Sequence, residues 1–277
     1  MSGRKPDNTG SRPRAKKSLG QNFLISGKVI DRIVKALDPG SGIPIMEIGP
    51  GTGALTGPLA EKGARIAAFE LDRRLSKELG ERFAGSDNVE IVEADVREID
   101  FDLEAKRREW EKYRVAGNIP YLLTSTIMIK LGLLERSAGA VIMVQKEVGE
   151  RILTSPGKRG CGILSVFLQA WFDISMVTTA RAGAFIPKPK VDSVVLSFTP
   201  EAREGAPRDR KGFLGFVKIS FSQRRKKLVN VLGNLLGEGG KPEAAALMGE
   251  AGTDAGLRPE ELSLDDWFRL YGVFEKR

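Results

Sequence analysis

Asn118-Ile119-Pro120-Tyr121 is the stretch of this chain best equipped for chemistry, and the chemistry it fits is on a planar amino group. The nitrogen of a nucleobase amine is a poor nucleophile because its lone pair is delocalised into the ring. An Asn side-chain oxygen and a nearby backbone carbonyl can each accept one of its hydrogens. That draws the nitrogen toward a tetrahedral geometry and returns the lone pair. Pro120 stiffens the turn and holds the residue before it extended, so that the Ile119 carbonyl points out of a strand end. Tyr121 offers a flat face on which a base can stack. A plainer account fits the four residues equally well: a strand end closed by a proline turn, with Tyr121 in the core. The surroundings must decide between them.

Those surroundings read as the opening of a doubly wound α/β domain. Residues 44–48 form a short buried strand that runs into Gly49-Pro50-Gly51-Thr52-Gly53 and then a helix from about residue 54 to 62. Gly49 and Gly51 let a ligand approach the backbone closely. The G-x-G-x-G spacing with Glu47 before it is not the dinucleotide fingerprint, and suits a ligand with an amino-acid moiety better than a pyrophosphate. Residues 65–70 form a second strand ending in Glu70, whose carboxylate can accept from ribose hydroxyls. Residues 89–93 form a third, closed by Asp95, an acceptor for the exocyclic amine of adenine. Residues 114–117 form a fourth and deliver Asn118 to the same edge, where such sheets bind their ligands. Any single acid at a strand end is more often a solvated turn or helix cap. Gly49, Glu70, Asp95 and Asn118 at consecutive strand ends together point to S-adenosylmethionine. With no His and a single Cys, thiol chemistry and metal hydrolysis fit poorly, and no metal is expected.

Six segments, in order along the chain, resemble the ribosomal RNA adenine N6,N6-dimethyltransferases, specifically the bacterial type that modifies the small subunit. They are Ser18-Leu19-Gly20-Gln21-Asn22-Phe23-Leu24, Glu47-Ile48-Gly49-Pro50-Gly51-Thr52-Gly53, Asn118-Ile119-Pro120-Tyr121, Gln145-Lys146-Glu147-Val148, Phe185-Ile186-Pro187-Lys188-Pro189-Lys190-Val191-Asp192-Ser193 and Phe221-Ser222-Gln223-Arg224-Arg225-Lys226. The resemblance runs from about Lys17 to the C-terminus. It implies a Rossmann-like, seven-stranded S-adenosylmethionine-dependent methyltransferase domain with a small all-helical C-terminal domain. It also implies a substrate: two adjacent adenosines in the 3′-terminal hairpin of 16S rRNA, within an assembling small ribosomal subunit. By position, Asn22 and Leu24 match the segment that closes over the methionine end of the donor. Gly49 and Gly51 match its loop, Glu70 its ribose ligand and Asp95 its adenine ligand. Asn118 matches the residue that grips the target amine beside the donor, with Ile119 and Pro120 supplying the carbonyl and its turn and Tyr121 the stacking face. Phe185 matches a second aromatic near the flipped base, although a Phe before Pro187 serves equally as a core plug under a rigid loop. Leu122-Leu123-Thr124 departs from the Asn, Ile, Ser often found there, so Leu122 withdraws a polar contact beside Tyr121.

Composition agrees with an RNA partner. The formal charge is +8, and cations cluster at two places. Arg4, Lys5, Arg12, Arg14, Lys16 and Lys17 face a single acid, Asp7, in a stretch almost without apolar residues, so residues 1–16 are expected to be a disordered basic tail. Arg224-Arg225-Lys226-Lys227 is the second cluster, placed on a helix expected over residues 212–236. It is either a solvated face or the border of an RNA groove, with Lys188 and Lys190 on the same rim. Further on, residues 139–145 read as a strand, 146–153 and 162–171 as helices, and 172–177 and 191–198 as two antiparallel strands. A shift to Pro, Gly and charge over residues 200–210 separates a methyltransferase domain, 17–200, from a helical domain, 201–277. Helices are expected there over 241–252 and 263–274. No membrane segment is read. A monomer in the reducing cytoplasm is the expectation, with Cys161 a structural thiol.

Two other functions fit the same residues. A dimethyltransferase of 23S rRNA of the macrolide-resistance type shares the tetrapeptide, while Pro50, Lys146-Glu147-Val148 and Asp192 lean to the small-subunit side. A non-catalytic assembly factor would bind immature subunits without turnover, and the intact Glu47, Gly49, Glu70, Asp95 and Asn118 argue against that.

Overall fold

The computed structural model describes residues 15–16, 19–237 and 240–277. The expected disordered tail lies almost wholly outside the described residues. A two-residue strand β1 (Phe23–Leu24) and helix α1 (Gly27–Leu37) lead into alternating strands and helices. These are β2 (Ile45–Ile48), α2 (Thr56–Glu61), β3 (Ile66–Glu70), α3 (Arg73–Phe83), β4 (Val89–Glu93), α4 (Phe101–Arg107), β5 (Tyr113–Asn118), α5 (Thr124–Leu133) and β6 (Ser137–Gln145). Then come α6 (Lys146–Leu153), α7 (Ile163–Gln169), β7 (Phe172–Ala180), β8 (Phe185–Ile186) and β9 (Ser193–Pro200). Four helices follow: α8 (Arg210–Ser220), α9 (Leu228–Leu236), α10 (Gly240–Glu250) and α11 (Leu264–Phe274).

The seven-stranded sheet has the order β4-β3-β2-β5-β6-β9-β7. Strands β2 to β6 run parallel, and β9 lies antiparallel between β6 and β7. The chain moves outward from β2 through β3 to β4, then returns to place β5 on the other side of β2. Strand order therefore reverses between β2 and β5, the position where α/β sheets open a crevice for ligands. Every residue of β2 and β3 is buried, as strands covered on both faces require. Side chains alternate between two layers. Met46 and Ile48 join Phe69 and Val115 under α4, α5 and α7, while Ile45, Ile66, Ala68 and Ala116 pack against α1 and α2. The first layer continues without interruption into the C-terminal helices through Phe213, Phe216, Leu232, Leu247 and Trp267. At the junction, the rings of Trp171 and Phe213 meet edge to face at 5.6 Å.

Two elements differ from the reading of the sequence. Strand β7 does not stop at residue 177 but continues to Ala180, past a register shift between Met176 and Thr178. An extra residue at a sheet edge breaks the side-chain alternation that a period-two reading follows. The single helix expected over residues 212–236 is two helices, separated by a 3-10 turn (Phe221–Gln223) and the basic run. In one continuous helix, Arg224 and Lys227 would fall on the apolar stripe that carries Phe213, Val217, Leu228 and Val231, where an unpaired charge is costly. The chain instead turns at the cations. Lys227 is extended, at φ −59° and ψ 142°, and the Leu228 N–H donates to the Leu257 carbonyl at 2.8 Å. The four charges thus sit on an exposed corner rather than a helix face. Ser263 caps α11 as expected, accepting from the Asp266 N–H.

Candidate active site

Beyond the carboxyl ends of the parallel strands lies a cavity of about 430 Å³. Segments 19–24, 47–52, 69–71, 94–97 and 118–123 all contribute to its wall. Sheet order sets its lateral arrangement. Asp95 follows β4, Glu70 ends β3, Gly49 follows β2 and Asn118 ends β5. Those four positions span three strand spacings, roughly 14 Å. The cavity's volume lies in the range of small-molecule sites.

The glycine turn is shaped by backbone conformation and by contact. Gly49, Gly51 and Gly53 have φ of 63°, 60° and 76°, a region that side chains disfavour. A Cβ at Gly49 would meet no atom within 4 Å, because the position borders the cavity. A Cβ at Gly51 would stand 3.1 Å from the ring of Phe23, so the N-terminal segment lies against the turn.

The acids are organised before any ligand arrives. Glu70 accepts from the Gly51 and Asp72 backbone N–H groups, each at 2.9 Å, which ties the strand end to the glycine turn. Both of its oxygens keep lone pairs for further donors. Burial pushes the Glu70 carboxyl up, against those two bonds. Glu47 is 1% exposed and accepts from the Thr56 hydroxyl at 2.7 Å. Burial raises its pKa to about 7, opposed by the Thr56 bond and helped by the nearby Glu70. Asp95 is held below the usual carboxylate range by the Arg97 guanidinium, whose Nε and Nη2 donate to Oδ2 at 2.9 and 2.5 Å.

At the other end, Asn118 Nδ2 donates to the Asn22 carbonyl at 2.9 Å. A backbone carbonyl can only accept, so this bond assigns the amide orientation and leaves Oδ1 as the acceptor for something else. Pro120 has φ −56° and ψ 132° and closes the following turn through the Leu123 N–H at 2.9 Å. The Tyr121 hydroxyl shares a hydrogen bond with Ser193 Oγ at 3.0 Å, and Thr124 Oγ1 donates to the Tyr121 carbonyl at 3.0 Å. The half-buried Tyr121 lines the cavity, as do Asn22, Leu24, Gly49, Gly51, Glu70, Asp95, Asn118, Ile119 and Pro120. Beside it Leu122 is 82% exposed, the most exposed large apolar side chain among the described residues.

Phe185 is the exception: it is not among the residues that line the cavity, which favours the core plug over the place near the base. It is 2% exposed, pairs with Leu24 across β1 and β8, and packs in the layer with Ala180 and Val195. Its ring holds up the N-terminal segment instead of facing the cavity. Four contributors escaped the sequence reading: the Asn22 carbonyl, Thr56 beneath Glu47, Ser193 behind Tyr121, and Asp72. Of these, Asp72 alone carried a readable signal, an acid directly before a helical stretch.

A second concavity has the opposite character. Arg159, Arg225, Lys226 and Arg258 line it, together with the Arg224–Glu260 pair at 3.0 Å. Lys188 and Lys190 are exposed on their own loop. Among the described residues no helix is long and apolar enough to cross a membrane.

The cavity fits S-adenosylmethionine. The open space at Gly49 and two carboxylates in register with it suit a ligand that is nucleoside at one end and amino acid at the other. Comparisons with known proteins point the same way. The family model described as ribosomal RNA adenine dimethylase matches residues 12–275. A ribosomal RNA small subunit methyltransferase A of Geobacter metallireducens is 43% identical over 260 residues, covering 93% of this chain and 94% of that protein. Its counterpart of Acidobacterium capsulatum is 42% identical over 270 residues, covering 95% and 92%. Among solved structures, a dimethyladenosine transferase from Plasmodium falciparum superposes with a TM-score of 0.75 at 24% identity, over 92% of this chain and 98% of that one. The 23S rRNA methyltransferase ErmE gives 0.65 at 27% identity, over 92% and 100%.

Proposed function

The chain belongs to the ribosomal RNA adenine dimethylase family, and from that premise we propose that it dimethylates the N6 amino groups of two adjacent adenosines in the 3′-terminal hairpin of 16S rRNA. The activity class is that of an S-adenosylmethionine-dependent rRNA adenine methyltransferase. The choice of small-subunit RNA rests above all on one contrast. Relatives named for the small subunit reach 43% identity, whereas the 23S enzyme ErmE reaches 27%.

When bound, S-adenosylmethionine supplies a methyl group that is already electrophilic. Asp95 holds the adenine, Glu70 the ribose, and Gly49 with Gly51 admit the methionine part, closed over by Asn22 and Leu24. The chain's own task is to present the target amine with its lone pair free. Asn118 Oδ1 accepts one amine hydrogen and the Ile119 carbonyl, turned by Pro120, accepts the other. Tyr121, steadied by Ser193, stacks on the base that leaves the helix. Positioning of this kind needs no strong base, which agrees with a site that has no histidine. A monomethylated base has one hydrogen fewer, so only one of the two acceptors can stay paired during the second addition.

The exposed cations Arg225, Lys226, Lys227, Lys188 and Lys190 contact phosphates, which gives affinity and register without reading sequence. A division near residue 200 into a methyltransferase domain and a helical domain belongs to the same proposal. So do a monomeric state and a cytoplasmic site of action beside assembling small subunits.

The direct test is to incubate the protein with radiolabelled S-adenosylmethionine and unmethylated small subunits, with large subunits and naked 23S rRNA in parallel. Dimethyladenosine mapped to the 3′-terminal hairpin of 16S rRNA is the expected result. Label confined to 23S rRNA would move the substrate to the large subunit. Tight subunit binding without label would leave an assembly factor.

A further inference from the structure

Asp72 caps α3, but its carboxylate is engaged more heavily than a cap requires. The Arg74 N–H donates to Oδ1 at 3.1 Å, the ordinary capping bond. The side chain has no exposed surface, and two side chains from the start of the chain also converge on it. Lys16 Nζ reaches Oδ1 at 3.0 Å and Gln21 Nε2 reaches Oδ2 at 3.2 Å. Gln21 Oε1 in turn accepts from the Lys16 N–H at 2.8 Å. Asp72 is itself braced against the strand end, since its N–H donates to Glu70.

Asn22 comes next in the chain, and its carbonyl is the one that receives Asn118 Nδ2. That carbonyl hangs between two attachments. On one side Gln21 is held by Asp72, and on the other Phe23 pairs with Ile186. We propose that Asp72 and Gln21 form a latch that positions the Asn22 carbonyl and thereby sets the orientation of the Asn118 amide. Both are positioning residues, and the inference rests on the reading of Asn118 Oδ1 as the acceptor for the target amine. With the latch open, the amide nitrogen loses its fixed partner and can exchange places with the oxygen. An NH2 turned toward the amine would oppose hydrogen to hydrogen. A buried carboxylate that receives two side chains from more than fifty positions away is poorly explained by helix capping alone.

Two variants separate latch from cap. Asp72→Ser keeps a good N-cap but is too short to hold Gln21, and Gln21→Ala leaves the cap untouched. Single-turnover rates on unmethylated small subunits, at saturating donor, are measured for each alone and combined with Asn118→Ala. Each latch variant is expected to lose about tenfold in rate, since small misplacements near a reacting centre carry effects of this order. Melting temperature and subunit affinity should stay near wild type, and neither variant should slow Asn118→Ala further. Latch variants with wild-type rates, or with the same loss on the Asn118→Ala background, would overturn the latch. Wild-type turnover by Asn118→Ala would overturn the premise and the latch with it, whereas a slow Asn118→Ala beside fast latch variants removes the latch alone.

Discussion

The cavity at the strand ends and the concavity at the basic corner are opposites in construction. In the first, acids dominate and each is tied down: Glu47 by Thr56, Glu70 by two backbone N–H groups, Asp95 by Arg97. In the second, cations dominate and, among the described residues, most carry no such ties. Among the described residues, Arg225, Lys226 and Lys227 are exposed, and Arg224 alone of the four pairs with an acid, Glu260. A site that must place a reacting atom freezes its polar groups with hydrogen bonds. One that must attract a flexible polyanion can leave its charges on long, mobile side chains. Under the proposed function, the contrast gives rate to one region and affinity to the other.

Asn118→Ala is the strongest way to break that assignment. It removes the oxygen left free by the Asn22 bond and should cost at least ~10²-fold in rate, by analogy with the loss of other positioned polar groups. Subunit binding should be unaffected. A parallel loss of affinity would show that the two regions are not separate in function.

The double variant Arg225→Ala with Lys226→Ala sharpens the other side. Its affinity for small subunits should fall severalfold at moderate salt, and the slope of log affinity against log salt should flatten by about two, one for each lost phosphate contact. Filter binding across a salt series gives both numbers. An unchanged slope would return these residues to the solvated surface.

The same contrast bears on how much of the molecule could be read in advance. Short strands rich in apolar residues that lead to Gly49, Glu70, Asp95 and Asn118 disclose a parallel sheet and its ligand edge, because both the strands and the edge are local in sequence. The support behind the edge is not local. Asn22 meets Asn118 across 96 positions and Gln21 meets Asp72 across 51, and no spacing rule reaches that far. Phe185 was open to two readings, and its burial beside Ala180 and Val195 favours the core plug. The basic corner was misread as helix because an apolar period runs through it. Arg224 and Lys227 on the apolar phase were the overlooked sign of a turn.

Glu47 supplies the smallest effect, and it probes how firmly the cavity is organised without its ligand. Its carboxyl keeps its proton to about pH 7 in the folded protein, against an ordinary value of 4.5, chiefly because burial disfavours the charge. The unfolded chain therefore releases this proton first as pH rises. Stability from the protonated group is complete below about pH 4.5 and is lost progressively up to about pH 7. Glu47→Gln cannot ionise and keeps an oxygen for the Thr56 hydroxyl. Without donor, the variant should match the wild type in melting temperature near pH 4.5 and exceed it by a few °C at pH 8, with the gap opening between those values. A gap independent of pH would mean that Glu47 is already ionised throughout, so that the cavity floor tolerates a charge that its burial and the single Thr56 bond do not account for.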